Sequence, residues 1–248
     1  MRILHIFLTL LALLTTAAVA DETKPSIRVV ADEWPPFSGA NLPQQGLSLH
    51  VITAVFEHAG YNVSSDVLPW ARIMDGVQRN EFDVVGSLFF DPDLTDVLQY
   101  SRPFYATDVR LVQRVGDEHS YTSVADLAPY SIAVGDGLLY EDEFDSADYL
   151  NKITVTTTLQ ALQMVAFGRA ELTLDSVDVV NYAMGTLEPS LAEQLEFVPG
   201  VMTSQEVHMA MRKDFPNRDQ ILADFSASLL AMQSDGTLAE ILSEHVTP

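Results

Sequence analysis

The chain of 248 residues contains no cysteine. That excludes disulfides, thiolate-held zinc, iron–sulfur clusters, a thiol nucleophile and lipid attachment at an N-terminal Cys. Basic residues are scarce: 13 Lys and Arg stand against 35 Asp and Glu, a formal charge of −22. A surface this acidic repels nucleic-acid phosphates and anionic lipid at long range, so no nucleic acid is expected as a partner. Tryptophan occurs only at Trp34 and Trp70. Beyond the N-terminus there is no long uncharged apolar run of the kind a membrane helix needs. Signatures of catalysis are also missing, with no G-x-S-x-G elbow, no H-E-x-x-H and no P-loop. Gly135-Asp136-Gly137 lacks the third glycine of a dinucleotide loop and reads as a strand-to-helix turn.

What is present describes an exported globular protein. Hydrophobic residues make up 48% and charged residues 19% of the chain, which is the balance of a folded core and not of a disordered segment. Met1 to Ala20 has one cation, Arg2, then an apolar run from Leu4 to Leu14, and ends in Ala18-Val19-Ala20. Basic, apolar and small regions in that order form a cleavable signal peptide, residues 1–20, and place the mature protein in the periplasm. Asn62-Val63-Ser64 fits a glycosylation pattern and is incidental.

The mature chain alternates strand and helix. Ile27 to Ala31 reads as a buried strand, stopped by Trp34-Pro35-Pro36-Phe37, where two prolines forbid ladder bonding. Leu49, Ile52, Val55, Phe56 and Ala59 line one face of a helix that Gly60 ends. Strands follow at Tyr61 to Leu68 and Phe82 to Gly86, flanking a helix from Trp70. The rhythm restarts with strands at Val109 to Val112, Ser131 to Val134, Ile153 to Val155, Ala170 to Leu174 and Val207 to Met211. An acidic helix follows Gly137, Thr158 is expected to cap a helix running to about Gly168, and Ser176 opens another. Two helical stretches, Arg218 to Met232 and Thr237 to His245, close the chain. This is the pattern of an α/β protein with two halves of similar size.

Five short motifs then occur in an order that resembles the extracytoplasmic solute-binding proteins of family 3, the polar amino-acid type that serves ABC transporters. Trp34-Pro35-Pro36-Phe37 resembles the family's aromatic-x-Pro-Phe turn. Phe82 to Ser87 is similar to its strand leading into the ligand, and Tyr100-Ser101-Arg102-Pro103-Phe104-Tyr105 to its F-S-x-P-Y segment. Gly168-Arg169-Ala170-Glu171 through Asp175-Ser176 resembles G-R-x-D-a-x-x-x-D, and Ser234 to Leu238 is similar to x-D-G-T-L. The resemblance implies a two-lobed, type II periplasmic-binding-protein fold, each lobe a mostly parallel sheet flanked by helices and joined by two hinge strands. It implies lobe 1 over residues 21–109 and 208–248, and lobe 2 over residues 110–207, with crossings near Arg110 to Arg114 and Met202 to Val207. It further implies a monomer that captures a small polar solute, an amino acid or amine-like molecule, for ABC transporter membrane subunits or a receptor, without cofactor or metal.

Ligand contacts are expected from Trp34 and Trp70, which would flank a planar or cationic group, and from Ser87, Leu88 and Phe89 beside a strand end. Arg72 sits at a helix start, where a cation is disfavoured, and is a candidate partner for a ligand carboxylate. Gly137 begins the matching loop of the second lobe, and Asp175 matches the family's ammonium-binding carboxylate. Two positions depart from the family pattern. Leu94 stands where amino-acid binders carry a carboxylate-clamping Arg, and Leu138 stands where they carry a hydroxyl. An amine anchor without the usual clamp points away from a standard amino acid. Competing readings are an enzyme on this fold, drafting Asp175, Glu33 or Asp32 as acid or base, and a ligand-sensing co-receptor. His50 and His58 are eight apart, His208 and His245 are isolated, and Glu141 to Asp148 reads as a solvated acidic face.

Overall fold

Three parallel strands, two of them rich in Val and Ile or Leu and the third an alternating polar edge, begin the structure, a computed structural model that describes residues 25–245. The expected signal peptide and its cleavage point lie outside the described residues. Strand β1 (Ser26–Ala31) is central, paired in parallel with β2 (Asn62–Val67) on one side and β3 (Val84–Leu88) on the other. Helix α1 (Leu47–His58) covers this sheet and buries Leu49, Ile52, Val55 and Phe56, the face that the 3.6-residue spacing predicts. Its entry depends on Gly46, at φ +97°, where an added Cβ would lie 2.7 Å from the Phe37 carbonyl oxygen. Helix α2 (Trp70–Gln78) buries Ile73, Gly76 and Val77.

Two ten-residue strands, β5 (Tyr105–Arg114) and β10 (Thr203–Arg212), run from this first half into the second. They pair antiparallel from Tyr105 opposite Val207 to Val109 opposite Thr203. Beyond that stretch they diverge: β10 continues against β3 and the short β4 (Leu98–Tyr100), while β5 continues against β8 (Leu172–Ser176) and β9 (Leu195–Phe197). Both long strands extend further toward the first residues of the pairing than apolar runs at Val109–Val112 and Val207–Met211 foretell. The added residues are polar: Asp108, Gln205 and Glu206 remain accessible to water and are held by the ladder, while Thr107 is buried and takes side-chain partners as well. The second half repeats a three-stranded parallel unit, with β6 (Ser131–Gly135) between β7 (Asn151–Val155) and β8. The sheet order is β2-β1-β3-β10-β5-β8-β6-β7.

Burial follows the same division. Val29, Phe37, Phe56, Val84 and Met209 share one apolar cluster with Ile221, Phe225 and Leu229 of α6 (Arg218–Asp235) and Leu238 of α7 (Thr237–Ser243). Leu111, Leu127, Ile132, Phe144, Leu172 and Leu174 form a separate cluster in the second half. Each large side chain fully removed from water contributes roughly 1.5–3 kcal/mol, so both halves have a core of their own. Helix α5 (Val177–Tyr182) is shared, since Val179 packs into the first cluster and Val180 into a second-half cluster.

The acidic helix expected after Gly137 shrinks to the single turn α3 (Asp142–Asp145): the Glu141 carboxylate caps its start by accepting from the Phe144 N–H, and Lys152 Nζ takes the Phe144 and Asp145 carbonyls that a longer helix would use. Helix α4 (Thr158–Ala166) is capped by Thr157 and not by Thr158. Thr157 has the extended backbone of an N-cap, and its hydroxyl accepts from the Gln160 N–H at 3.1 Å. The hydroxyl of Thr158 is thereby released for another partner.

Candidate functional site

The sequence candidates lie at or just beyond the C-terminal ends of parallel strands: Trp34 after β1, Trp70 after β2, Ser87 to Phe89 at β3, Gly137 after β6 and Asp175 in β8. Strand C-termini in open α/β sheets are where ligands bind, since backbone groups and following helices converge there. Not all of these residues are brought into contact.

Trp34 and Phe89 meet directly, ring centroids 4.8 Å apart and edge to face. Phe37 packs against the same indole at 4.5 Å, and Tyr105 stands 5.9 Å from Phe37. A tight turn holds Trp34, with its N–H donating to the Ser38 carbonyl and its carbonyl accepting from Phe37 and Ser38. The four rings form a continuous aromatic shelf from the end of β3 to strand β5. Leu88 is buried in the first half's core beside Ile73 and Val77.

Ser87 occupies a β-bulge. Two steps along β10, from His208 to Ala210, face three steps along β3, from Leu88 to Val85. The extra residue leaves Ser87 at φ +63° although it is buried, and its hydroxyl donates to that of Ser48 at 3.1 Å. A left-handed backbone at a non-glycine residue costs about 1–2 kcal/mol. Bulges of this kind re-aim side chains beside binding sites.

Asp175 is buried in the second half, and desolvation raises its pKa to about 6 against two opposing hydrogen bonds. Those bonds come from the Thr158 hydroxyl and from the Ser176 N–H at 2.7 Å. No cationic side chain pairs with it among the described residues. Its charge also helps burial hold the Tyr140 phenol protonated, and that phenol oxygen accepts from the Gly135 N–H at 2.8 Å.

Trp70 and Arg72 are exposed at the start of α2, and Gly137 is exposed at φ +69°. Arg72 makes no ion pair among the described residues. An added Cβ at Gly137 would meet nothing, so glycine serves the backbone angle there and not a close approach. Leu138 and Leu139 beside it are exposed apolar side chains. Leu94 packs against the first half's core near Leu88 and Leu98, so the position is apolar in surroundings as well as in side chain. Of the carboxylates considered as catalysts, Glu33 already accepts from the Ala40 N–H at 3.2 Å, and burial raises Asp32.

Sequence reasoning missed a second carboxylate, Asp178. It accepts from the Thr107 hydroxyl at 2.6 Å and from the Tyr105 hydroxyl at 3.1 Å. Because Thr107 has one proton and gives it to Asp178, Ser176 donates to Thr107, at 2.7 Å. These bonds link β5, the end of β8 and the first turn of α5. The signal was present as Asp175-Ser176-Val177-Asp178, a capping serine with a carboxylate two residues later. His245, isolated in the sequence, is not isolated in the fold, because its Nε2 lies 2.9 Å from Nδ1 of His50.

A family model, that of the bacterial extracellular solute-binding proteins, family 3, matches residues 27–248. The chain belongs to that family. The family is one of solute-binding proteins, and this chain has its type II periplasmic-binding-protein fold. It is 22% identical over 215 residues to the L-cystine-binding protein TcyJ of Escherichia coli (strain K12), covering 85% of this chain and 78% of the relative. Among solved structures, a histidine kinase sensor domain with similarity to periplasmic binding proteins matches with a TM-score of 0.74 and 19% identity, covering 90% of this chain and 96% of that one. An ancestral arginine-binding protein bound to arginine matches with a TM-score of 0.71 and 20% identity, covering 90% and 99%. At these identities the structural likeness establishes the fold of this family 3 chain. No helix among the described residues is long and apolar enough to cross a membrane.

Proposed function

We propose that this family 3 protein is a periplasmic, non-catalytic receptor that captures a small polar solute bearing an amine or similar donor and presents it to an ABC transporter. The observation that carries this reading is Asp175, a buried carboxylate at a strand C-terminus with two hydrogen bonds and no cation beside it among the described residues. A buried anion without a counter-charge is costly, and a ligand ammonium offsets that cost only when bound. The relatives support the class, being named for L-cystine and arginine. The apolar setting of Leu94 and the exposed Leu138 argue against a standard α-carboxylate clamp at those positions. The solute's apolar or planar part then lies along Trp34 and Phe89, with Trp70 and Arg72 on the rim.

Closure follows from where the ligand contacts lie. Trp34, Ser87 and Phe89 belong to the first lobe and Asp175 to the second, with β5 and β10 as hinges. A solute touching both stabilises the closed form differentially. A ligand-sensing co-receptor would use the same binding step with a different partner, and a turnover assay separates both from an enzyme. The deciding experiment is a calorimetric screen of amino acids, amines and organic acids, with small-angle scattering on any hit. An amine-bearing solute that binds and compacts the protein is expected. Binding confined to acids lacking an amine, or no compaction on binding, would overturn the reading.

A further inference from the structure

His50 lies one turn into α1, and Glu244 and His245 follow directly on α7, which packs beside it. The two imidazole rings are nearly perpendicular with centroids 5.2 Å apart. Nδ1 of His50 is 2.9 Å from Nε2 of His245 and 3.9 Å from Oε2 of Glu244. All three potential donor atoms fall within 4.8 Å of one another. They come from residues 195 apart in the chain, so nothing in the local sequence brings them together.

We propose that His50, Glu244 and His245 form a binding site for a divalent transition ion, with zinc as its probe. Two imidazole nitrogens and one carboxylate oxygen suit zinc, nickel or copper, whereas calcium and magnesium require oxygen donors. Zinc bonds of roughly 2.0–2.1 Å in a tetrahedron set donor atoms about 3.3 Å apart. The histidine pair reaches that by opening a few tenths of an ångström. The Glu244 carboxylate oxygen, now 3.9 Å from His50 Nδ1, must move inward further than that, and its side chain, 62% exposed, is free to do so. That exposure also leaves a fourth position open to water. The acidic surface raises the local concentration of divalent cations. Binding would replace one histidine–histidine hydrogen bond by two metal bonds and fasten α1 to the end of the chain. The site shares no residue with the solute cleft, so it stands or falls independently of the solute reading.

The test is zinc titration of mature, tag-free protein stripped with a chelator, read by calorimetry and by thermal midpoint. One ion per chain and a raised midpoint are expected. His50→Ala and His245→Ala should each weaken affinity by at least roughly 10–100-fold and abolish the thermal shift. Absence of binding in the native protein overturns the site, as does undiminished binding in both variants, which puts the ion elsewhere on the acidic surface. Should the alanine variants not fold, nickel broadening of the imidazole resonances in the native protein decides. Loss of the His50 and His245 signals alone supports the site, and any other pattern overturns it. Glu244→Gln, on an exposed side chain, should weaken affinity without altering the apo midpoint.

Discussion

Thr107 donates its hydroxyl proton to Asp178 across 2.6 Å, tying strand β5 to the first turn of α5. Tyr105 reaches the same carboxylate from one side, and Val179 next to it packs into the first half's core. The position where the two halves meet is therefore anchored by one carboxylate that accepts from two hydroxyl donors. Its place at a helix N-terminus adds a favourable dipole term. Removing the charge while keeping the shape, with Asp178→Asn, should loosen this seam. Loss of stability of about 1–3 kcal/mol is expected from charge-assisted bonds of this kind. Thermal denaturation measures it, and an unchanged midpoint would mean the seam is held by Val179 and its neighbours alone.

Asp175 should act in the opposite direction. Its folded pKa of about 6 lies above the ordinary 3.8. Folding therefore takes up a proton between about pH 4 and pH 6. The stability linked to this group is complete below about pH 4 and is lost as pH rises through about 6. Asp175→Asn should raise the ligand-free thermal midpoint at pH 7.5, by the equivalent of up to about 3 kcal/mol, and leave it unchanged near pH 4. Thr158 can serve the new amide, since a hydroxyl accepts as well as donates. A lower midpoint for the variant at pH 7.5 would contradict the cost assigned to the buried charge.

The same carboxylate sets a pH dependence for binding. An amine solute prefers the ionised form, so affinity should fall roughly tenfold per pH unit below about pH 6. Calorimetry with the solute found by screening, at pH 5, 6 and 7.5, reads it directly. Asp175→Ala should lose one to two decades of affinity at pH 7.5. A pH-independent affinity would leave Asp175 as a helix-entry residue bonded to Ser176.

With two tryptophans in the chain, Trp70→Phe leaves Trp34 as the sole indole reporter. Saturation with solute should then shift or quench emission, because Trp34 borders Phe89 on the aromatic shelf. Phe89→Ala should weaken binding and reduce that change. Emission indifferent to a solute that calorimetry shows to bind would separate Trp34 from the ligand.

Gly46→Ala should be destabilising by about 2 kcal/mol or more, since the new methyl meets two carbonyl oxygens inside 3 Å at a positive φ. Circular dichroism on heating tests it. A neutral result would require α1 to begin differently from the described entry.

Legibility of the sequence varied with the distance over which each feature is determined. The helix face of Leu49, Ile52, Val55 and Phe56 was readable because one periodic segment and one buried side suffice. The first residues of β5 and β10 were not, since polar Thr107 and Glu206 become strand only through pairing with each other's segment. Thr157 and Thr158 are adjacent and chemically alike, and the cap was settled by backbone angle, which the side chains do not encode. At the site, Trp34 and Phe89 were both candidates, but their edge-to-face contact joins segments 55 residues apart that no local pattern pairs. Asp178 had a helix-start pattern around it, but its bonds to Tyr105 and Thr107, like the His50–His245 pair, are contacts between distant segments.

The chain's last stretch has a consequence for how the molecule is made. Ile221, Phe225, Leu229, Met232, Leu238 and Ile241 complete the same core that Ile27 and Val29 begin. Ile27 and Val29 therefore cannot finish packing until the chain has been delivered as far as Ile241. The second half, by contrast, collects Leu111 to Val198 from one continuous stretch and has what it needs sooner. A chain with this layout stays partly open while it is being made, and closes its first half only once α6 and α7 have arrived.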